Sequence, residues 1–501
     1  MKLSAIPMVA VLLIPAALAQ AQPGQPYSSY WFPDDLLGWS PATDPDAPYN
    51  VGTVELADRF LGDTQTNPHA RPGEAGITSL AIMYPSTSGN PSQGARTFDV
   101  YAFNYWQYID ILVMWGGSAG EGLILAPSAD VIDAGHRNGV KVYGTVFFPP
   151  AVYGGQIEWV YDFVQKSGST YPVADKLIEA AEFYGFDGWF INQETAGGDA
   201  ALAAEIRDFM LYVQASSDIE IQWYDAMIET GSIAWQNALN ANNDMFFEYD
   251  GQTVSNGFFI NFGWTSNGLT ISRNNAIALG RSPYDLYAGA DVQANGYNTS
   301  VNWTGLFPEG QEHKTSLGFY CPNWCYSSST SPEDFYYRDN RFWVGANRDP
   351  SNTETSSPWK GLAHYVPDMS VINDIPFVTN FNTGQGSSFA VEGEVVGGSE
   401  WNNRSLQDVL PTWRWIARSA GTPLYPDLVW DNPWYGGSCL RVSGDLTAGQ
   451  ATNLYLFKTW LSLQGNENLV LAYEVNQSVS EQSGISVGLS FSDDPGVFVQ
   501  I

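Results

Sequence analysis

The sequence predicts an α/β protein: a (β/α)8 barrel followed by a C-terminal β-sandwich domain. Two observations carry this. First, eight short apolar runs recur at residues 111–115, 140–148, 188–194, 219–226, 258–264, 286–292, 316–321 and 377–382, with helical patterns at 129–138, 173–184 and 201–215. Runs this short that do not alternate suit parallel strands buried on both faces, and helices between them make the crossovers of a closed TIM barrel. Second, the texture changes near Gly384, and from about Val391 alternating strand patterns at 440–442, 453–457, 469–475 and 485–491 are separated by Gly and Asn turns. About a hundred residues of this kind, without helix-length patterns, suit a sandwich.

The elements follow in order. Residues 1–19 hold Lys2, an apolar run over 6–18 and Ala17-Leu18-Ala19. A charged start, an apolar core and a small-residue cleavage site predict a signal peptide and a secreted, extracellular product. Residues 20–48 are rich in Pro and turn formers and are expected to wrap the barrel. The predicted division is 1–19 signal peptide, 20–390 barrel and 391–501 sandwich. Within the barrel, Val173, Leu177, Ala180, Ala181 and Tyr184 share one face of a helix,.

Composition narrows the partners. At pH 7 the 501 residues carry a net charge of −32 with only 21 Lys and Arg, which argues against nucleic acid and anionic membranes,. No run beyond the N-terminus reaches the length of a membrane span. The 19 Trp and 27 Tyr are flat amphipathic rings suited to the apolar faces of sugars, although most are expected to serve as packing. Cys321 and Cys325 frame C-P-N-W-C and are candidates for a local disulfide, with Cys439 left over,. His69, His136, His313 and His364 are too scattered to spell a zinc site,. Neither metal nor cofactor is expected. Asn298, Asn302, Asn403 and Asn476 head N-x-S/T sequons, which would carry glycans in a secreted eukaryotic chain,.

The chemistry concentrates in Gly185 to Thr195, G-F-D-G-W-F-I-N-Q-E-T. Alternate residues of a strand share a face, so Asn192 and Glu194 stand together while Ile191 and Gln193 point away. The C-terminal end of a barrel strand is where catalytic groups sit. Most glycosidases use two carboxylates, and here one partner is an amide, which cannot serve as nucleophile toward a sugar. The substrate's own 2-acetamido oxygen can supply that attack, with Asn192 orienting the group and Glu194 acting as acid and then base. Burial at the barrel mouth would raise the Glu194 pKa as an acid requires. Read without a relative, Asn192 is as well a turn residue and Glu194 a paired loop carboxylate. Asp187 and Asp225 are out of phase and read as structural.

The run Tyr171 to Glu194, with I-Q-W-Y-D-A at 221–226, F-F-I-N-F-G-W at 258–264, Y-W-F-P-D-D-L-L-G-W from Tyr30 and L-P-T-W-R-W at 410–415, resembles glycoside hydrolase family 85, the endo-β-N-acetylglucosaminidases. W-Y-G-G-S-C-L-R-V-S-G at 434–444 resembles the start of that family's sandwich. The resemblance implies Asn192 as the acetamido-orienting residue, Glu194 as acid/base and Tyr224 as a second contact to the acetamido group. Trp235, Trp264 and Trp115 would line sugar subsites. It further implies cleavage between the two N-acetylglucosamines of the N-glycan core, with N-glycans of glycoproteins or glycopeptides as partners. A chitinase-like hydrolase and a non-catalytic lectin are the alternatives. The usual chitinase signature has Asp where this chain has Asn192, and an intact Asn192, Glu194 and Tyr224 set argues against a lectin.

Overall fold

The computed structural model describes residues 25–62, 65–98, 100–462, 464–465, 467–475, 484–491 and 494–500. Eight parallel strands close on themselves: β1 (Ile77–Ala81), β2 (Ile111–Met114), β3 (Lys141–Phe148), β4 (Gly188–Gln193), β5 (Glu220–Tyr224), β6 (Gly257–Ile260), β7 (Leu286–Asp291) and β8 (Ser316–Tyr320). Pairing runs in sequence order, and β8 returns to β1 through Leu317 opposite Ile77. The protein is therefore a (β/α)8 TIM barrel. Helices α1 (Ala129–Arg137), α2 (Pro172–Tyr184), α3 (Ala200–Ser216), α4 (Ser266–Ala278) and α5 (Pro332–Val344) are among those that follow its strands.

Local chemistry sets these elements. In α2, Pro172 opens the helix where its missing N–H costs nothing, and Gly185 closes it at φ 80°,. Asp199 caps α3 by accepting from Leu202 N,. Between α2, α3, β4 and β5, Leu177, Trp189, Ile191, Phe209, Val213 and Ile221 are buried together. Removing that apolar area from water is the main stabilising term, at about 25 cal/mol per Å2.

Seven of the eight expected runs are barrel strands; the eighth differs. Residues 377–382 form no strand, because Phe381 sits in left-handed backbone at φ 58° and Asp408 accepts from Asn380 N and Asn382 N. The missing strand is β1, I-T-S-L-A, whose Thr and Ser weaken its apolar signature although all five residues are buried. Inside the barrel the threonine hydroxyl has a use: Thr78 Oγ1 accepts from Gln222 Nε2 at 3.1 Å.

Beyond the barrel come two-stranded antiparallel ladders, Ile416–Ser419 with Thr452–Tyr455, Tyr425–Val429 with Cys439–Ser443, and Gly488–Phe491 with Asp494–Gln500, consistent with a β domain. Residues 469–475 form no strand. This region reaches deep into the barrel's flank. Arg404 pairs with the fully buried Asp130 of α1 at 2.9 Å and donates to Tyr101 O and Met83 O. Lys458 pairs with Asp368 at 2.8 Å.

Cys321 and Cys325 are free and buried, not bridged. The left-handed turn at Cys321 (φ 60°) leads into a short helix, so its thiol faces Tyr320 while that of Cys325 faces Asp339. Two of the sequon amides are occupied: Asn302 and Asn403 accept from Gly305 N and Ser405 N as helix caps. Asn476 lies outside the described residues. No described helix is long and apolar enough to cross a membrane.

Candidate active site

The lumen is filled from below. Tyr143 and Lys141 both bind Glu220 near the strands' amino ends, and Phe190, Phe259 and Tyr224 pack above them. Phe190 and Phe259 meet edge to face at 5.7 Å. Asn192 follows Phe190 in the same phase, so the polar pair emerges on top of an aromatic floor. Asn192 is 5% exposed and donates through Nδ2 to Glu194 Oε1 at 3.0 Å. Its other polar atom, Oδ1, is buried without a hydrogen-bond partner among the described residues. Gln193 turns the opposite way, accepting from Thr195 N at 2.5 Å and donating to Thr195 O. Glu194 N donates to Phe148 O, which ties the strand end to β3.

Two opposed influences act on Glu194. Burial raises its pKa above the usual carboxylate value, and the Asn192 bond pulls it part of the way back,. Tyr224, on the neighbouring strand, is pushed well above the ordinary phenol value by burial first and by the Glu194 charge second. It stays protonated and donates to Asn261 Oδ1 at 2.7 Å. Asn261 in turn donates to Asn237 Oδ1, which also accepts from Gly263 N. Asp225 underpins this loop by accepting from Gln236 N, Asn237 N and Asn243 Nδ2, and burial raises its pKa to about 6. Asp187 likewise serves structure, accepting from Val142 N and His136 Nε2.

The six residues singled out in the sequence fare differently. Asn192, Glu194 and Tyr224 converge, and Trp235, 42% exposed, reaches the Tyr224 hydroxyl from the loop that Asp225 holds. Trp115 lies across the mouth, packed against Phe147, Phe190 and Tyr320 at 5.2–5.8 Å. Trp264 is spent differently: it packs on the core outside the lumen and donates to Gly289 O at 2.7 Å. Sequence reasoning missed Asn261, Asp291, Phe262 and Tyr320. Phe262 lies 6.3 Å from Tyr224 and 5.7 Å from Tyr320, ring to ring. Asn261, Asp291 and Tyr320 continue the lumen phase of Phe259, Tyr287 and Gly318, so the two-residue period that found Glu194 reaches them too. Asp291 is partly buried, with its pKa raised by that burial, and accepts from Gln293 N.

Fold and site together define a barrel protein whose mouth holds a desolvated carboxylate beside an amide, ringed by aromatics. Residues 84–389 match the sequence profile of glycosyl hydrolase family 85, and the chain belongs to that family. It is 27% identical over 447 residues to a cytosolic endo-β-N-acetylglucosaminidase of Gallus gallus, covering 86% of this chain and 54% of that protein. The Homo sapiens enzyme of that name is 27% identical over 424 residues, covering 82% and 51%. The chain thus spans about half the length of the curated relatives it matches. Among solved structures, the glycoside hydrolase domain of Endo-D from Streptococcus pneumoniae R6 superimposes with a TM-score of 0.80 at 34% identity, over 87% of this chain and 69% of that one.

These relatives correct one expectation. Secretion was predicted, but the curated relatives from Gallus gallus, Danio rerio, Homo sapiens, Mus musculus and Arabidopsis thaliana are named cytosolic. The prediction rested on the composition of residues 1–19, which lie outside the described residues, whereas the likeness to the Gallus gallus enzyme covers 86% of the chain.

Proposed function

We propose that this chain is an endo-β-N-acetylglucosaminidase that cuts the GlcNAc-β-1,4-GlcNAc bond of the N-glycan core with retention, by substrate assistance. The observation that carries the reading is the orphaned Asn192 Oδ1. A buried acceptor without a donor costs about 1–3 kcal/mol, and its place beside a desolvated carboxylate asks for a ligand N–H,. The N–H of a 2-acetamido group would supply it. Bound so, the acetamido oxygen turns toward the anomeric carbon and closes an oxazolinium ring as the glycosidic bond breaks. Glu194 gives its proton to the departing oxygen. It then takes one from the incoming water, or from a sugar hydroxyl in transglycosylation. Tyr224 would hold the acetamido group from the neighbouring strand, and Trp235 and Trp115 would offer faces to the sugars. In the proposed division the barrel of residues 20–390 performs this chemistry and residues 391–501 brace it.

Relatives bearing this activity in their names support the substrate class. A chitinase-like reading would shift preference to β-1,4-GlcNAc polymers. Release of sugar from high-mannose, hybrid and complex glycopeptides, set beside chitin oligomers, tests the proposal. Turnover of chitin oligomers with every glycopeptide untouched would overturn it.

A further inference from the structure

We propose that His69, Glu354 and His364 form a binding site for one divalent transition-metal ion of the zinc type, remote from the barrel mouth. One imidazole nitrogen from each histidine and one carboxylate oxygen lie within 4.8 Å of one another. His69 Nε2 is already 3.1 Å from Glu354 Oε1, and the two imidazoles stack at 4.6 Å. In a tetrahedral zinc site with bonds near 2.0–2.1 Å, neighbouring ligand atoms sit roughly 3.4 Å apart. Closing the cluster therefore needs a contraction of little more than an ångström. Glu354, whose side chain is 57% exposed, can move that far. Two nitrogens and one oxygen suit zinc and its neighbours better than magnesium or calcium, and water would fill the fourth position.

The surroundings are built to aim these ligands. Thr353 Oγ1 lies 2.8 Å from His364 Nδ1, which fixes that ring and leaves Nε2 for a metal. Thr353 Oγ1 also accepts from Asn67 Nδ2 at 2.7 Å, and Asn67 Oδ1 accepts from His69 N. One amide thus orients both histidines, as the partners behind metal-binding histidines do. Lys360 pairs with Glu354 Oε2 at 2.9 Å, leaving Oε1 to face His69 Nε2. In the absence of metal this lysine balances the carboxylate, so it competes with the ion.

Nothing here touches the catalytic pair. Residues 71–76 lead into the first residue of β1, and Glu74 accepts from His313 N just ahead of β8. The cluster thus sits on the side from which strands enter the barrel, and Asn192 and Glu194 sit where they leave it. A metal here would clamp three segments of chain and act on stability.

The test is a calorimetric titration of chelator-treated, dialysed full-length protein with zinc chloride, with thermal unfolding alongside. One zinc equivalent and a raised Tm are expected, with no Tm shift from magnesium. His69→Ala should abolish binding. Glu354→Gln, at an exposed position that tolerates change, should weaken it strongly. Thr353→Val should weaken it by roughly 10–100-fold, and Lys360→Met should tighten it. Zinc-free variants should cleave the substrate as the parent does. Absence of stoichiometric binding in the parent, or binding as tight as the parent's in His69→Ala or Glu354→Gln, would overturn the assignment.

Discussion

Replacing Asn192 by Ala separates the two halves of the proposed reaction. The change removes the donor to Glu194 Oε1 and the orphaned Oδ1 together. Nothing else in the strand end would then orient the acetamido oxygen for attack. Loss of one preorganised hydrogen-bonding group at a charge-developing centre costs about 10²–10³ in kcat, or about 2.7–4 kcal/mol, and hydrolysis of a glycopeptide should fall by that factor. A pre-formed sugar oxazoline already contains the ring that Asn192 helps to close. The variant should therefore still couple an oxazoline to an N-acetylglucosamine acceptor, and coupled product should accumulate because its hydrolysis is slow. A second readout follows from charge. The Asn192 bond lowers the Glu194 pKa, so its loss raises that pKa further. In coupling Glu194 works as a base and must be ionised, so the acidic limb of the coupling rate should move to higher pH. Normal hydrolysis, equal loss of both activities, or an acidic limb that stays in place would each refute the assignment of Asn192.

Glu194→Gln should lose roughly 10²–10⁴ of hydrolysis and fail in coupling, with initial rates on both substrates as the check. It should also unfold at higher temperature near neutral pH. A carboxyl whose folded pKa is raised stabilises the fold only below its unfolded value of about 4.3. That contribution is lost as pH rises through the folded pKa, so the gain over wild type should vanish in acid. Tyr224→Phe strips the donor from Asn261 Oδ1 and should cost about 1–3 kcal/mol in denaturant unfolding, with a lowered kcat. Asp291→Asn should keep hydrolysis within about tenfold, since substrate assistance needs no second carboxylate; a loss equal to that of Glu194→Gln would point to double displacement. Truncation after Ala390 removes Arg404 and leaves Asp130 buried and unpaired, a cost of about 3–5 kcal/mol; a soluble, fully active truncated barrel would show the C-terminal region to be dispensable.

What could be read in the sequence follows what its local patterns encode. Buried parallel strands write themselves as unbroken apolar runs, which is why seven barrel strands were legible. β1 hid because a barrel lumen accepts a hydroxyl that finds a polar partner across it, as Thr78 does in the Gln222 amide. The run at 377–382 misled because a short apolar run says nothing of backbone handedness, and Phe381 breaks the strand there. Asn192 and Glu194 were legible because two-residue spacing fixes a shared face. Asn261, inside F-F-I-N-F-G-W, and Asp291 obey the same spacing, but neither has a second catalytic-type group two residues away on its own strand. His69 and His364 were illegible together, since only the closure of β8 onto β1 brings such distant segments to one place.

In the proposed mechanism the pair at the end of β4 would also let one carboxyl serve as both acid and base. An acid buried without help would hold its proton too tightly to release it, and one fully solvated would lack a proton to give. Glu194 sits between these limits because the aromatic floor withdraws water while Asn192 supplies one hydrogen bond to the ionised form. Under the proposal the amide would carry two tasks on its two polar atoms: Nδ2 lowers the carboxyl's pKa, and Oδ1 would accept from the sugar. Binding of an acetamido N–H to Oδ1 would polarise the amide and strengthen its Nδ2–H bond to Glu194, easing the carboxyl's ionisation as its proton leaves. Substrate capture and proton transfer would then be coupled through a single side chain. An ionised Asp at this position would have no hydrogen to offer Glu194, and would need to take up a proton to reproduce the arrangement that Asn192 provides at every pH.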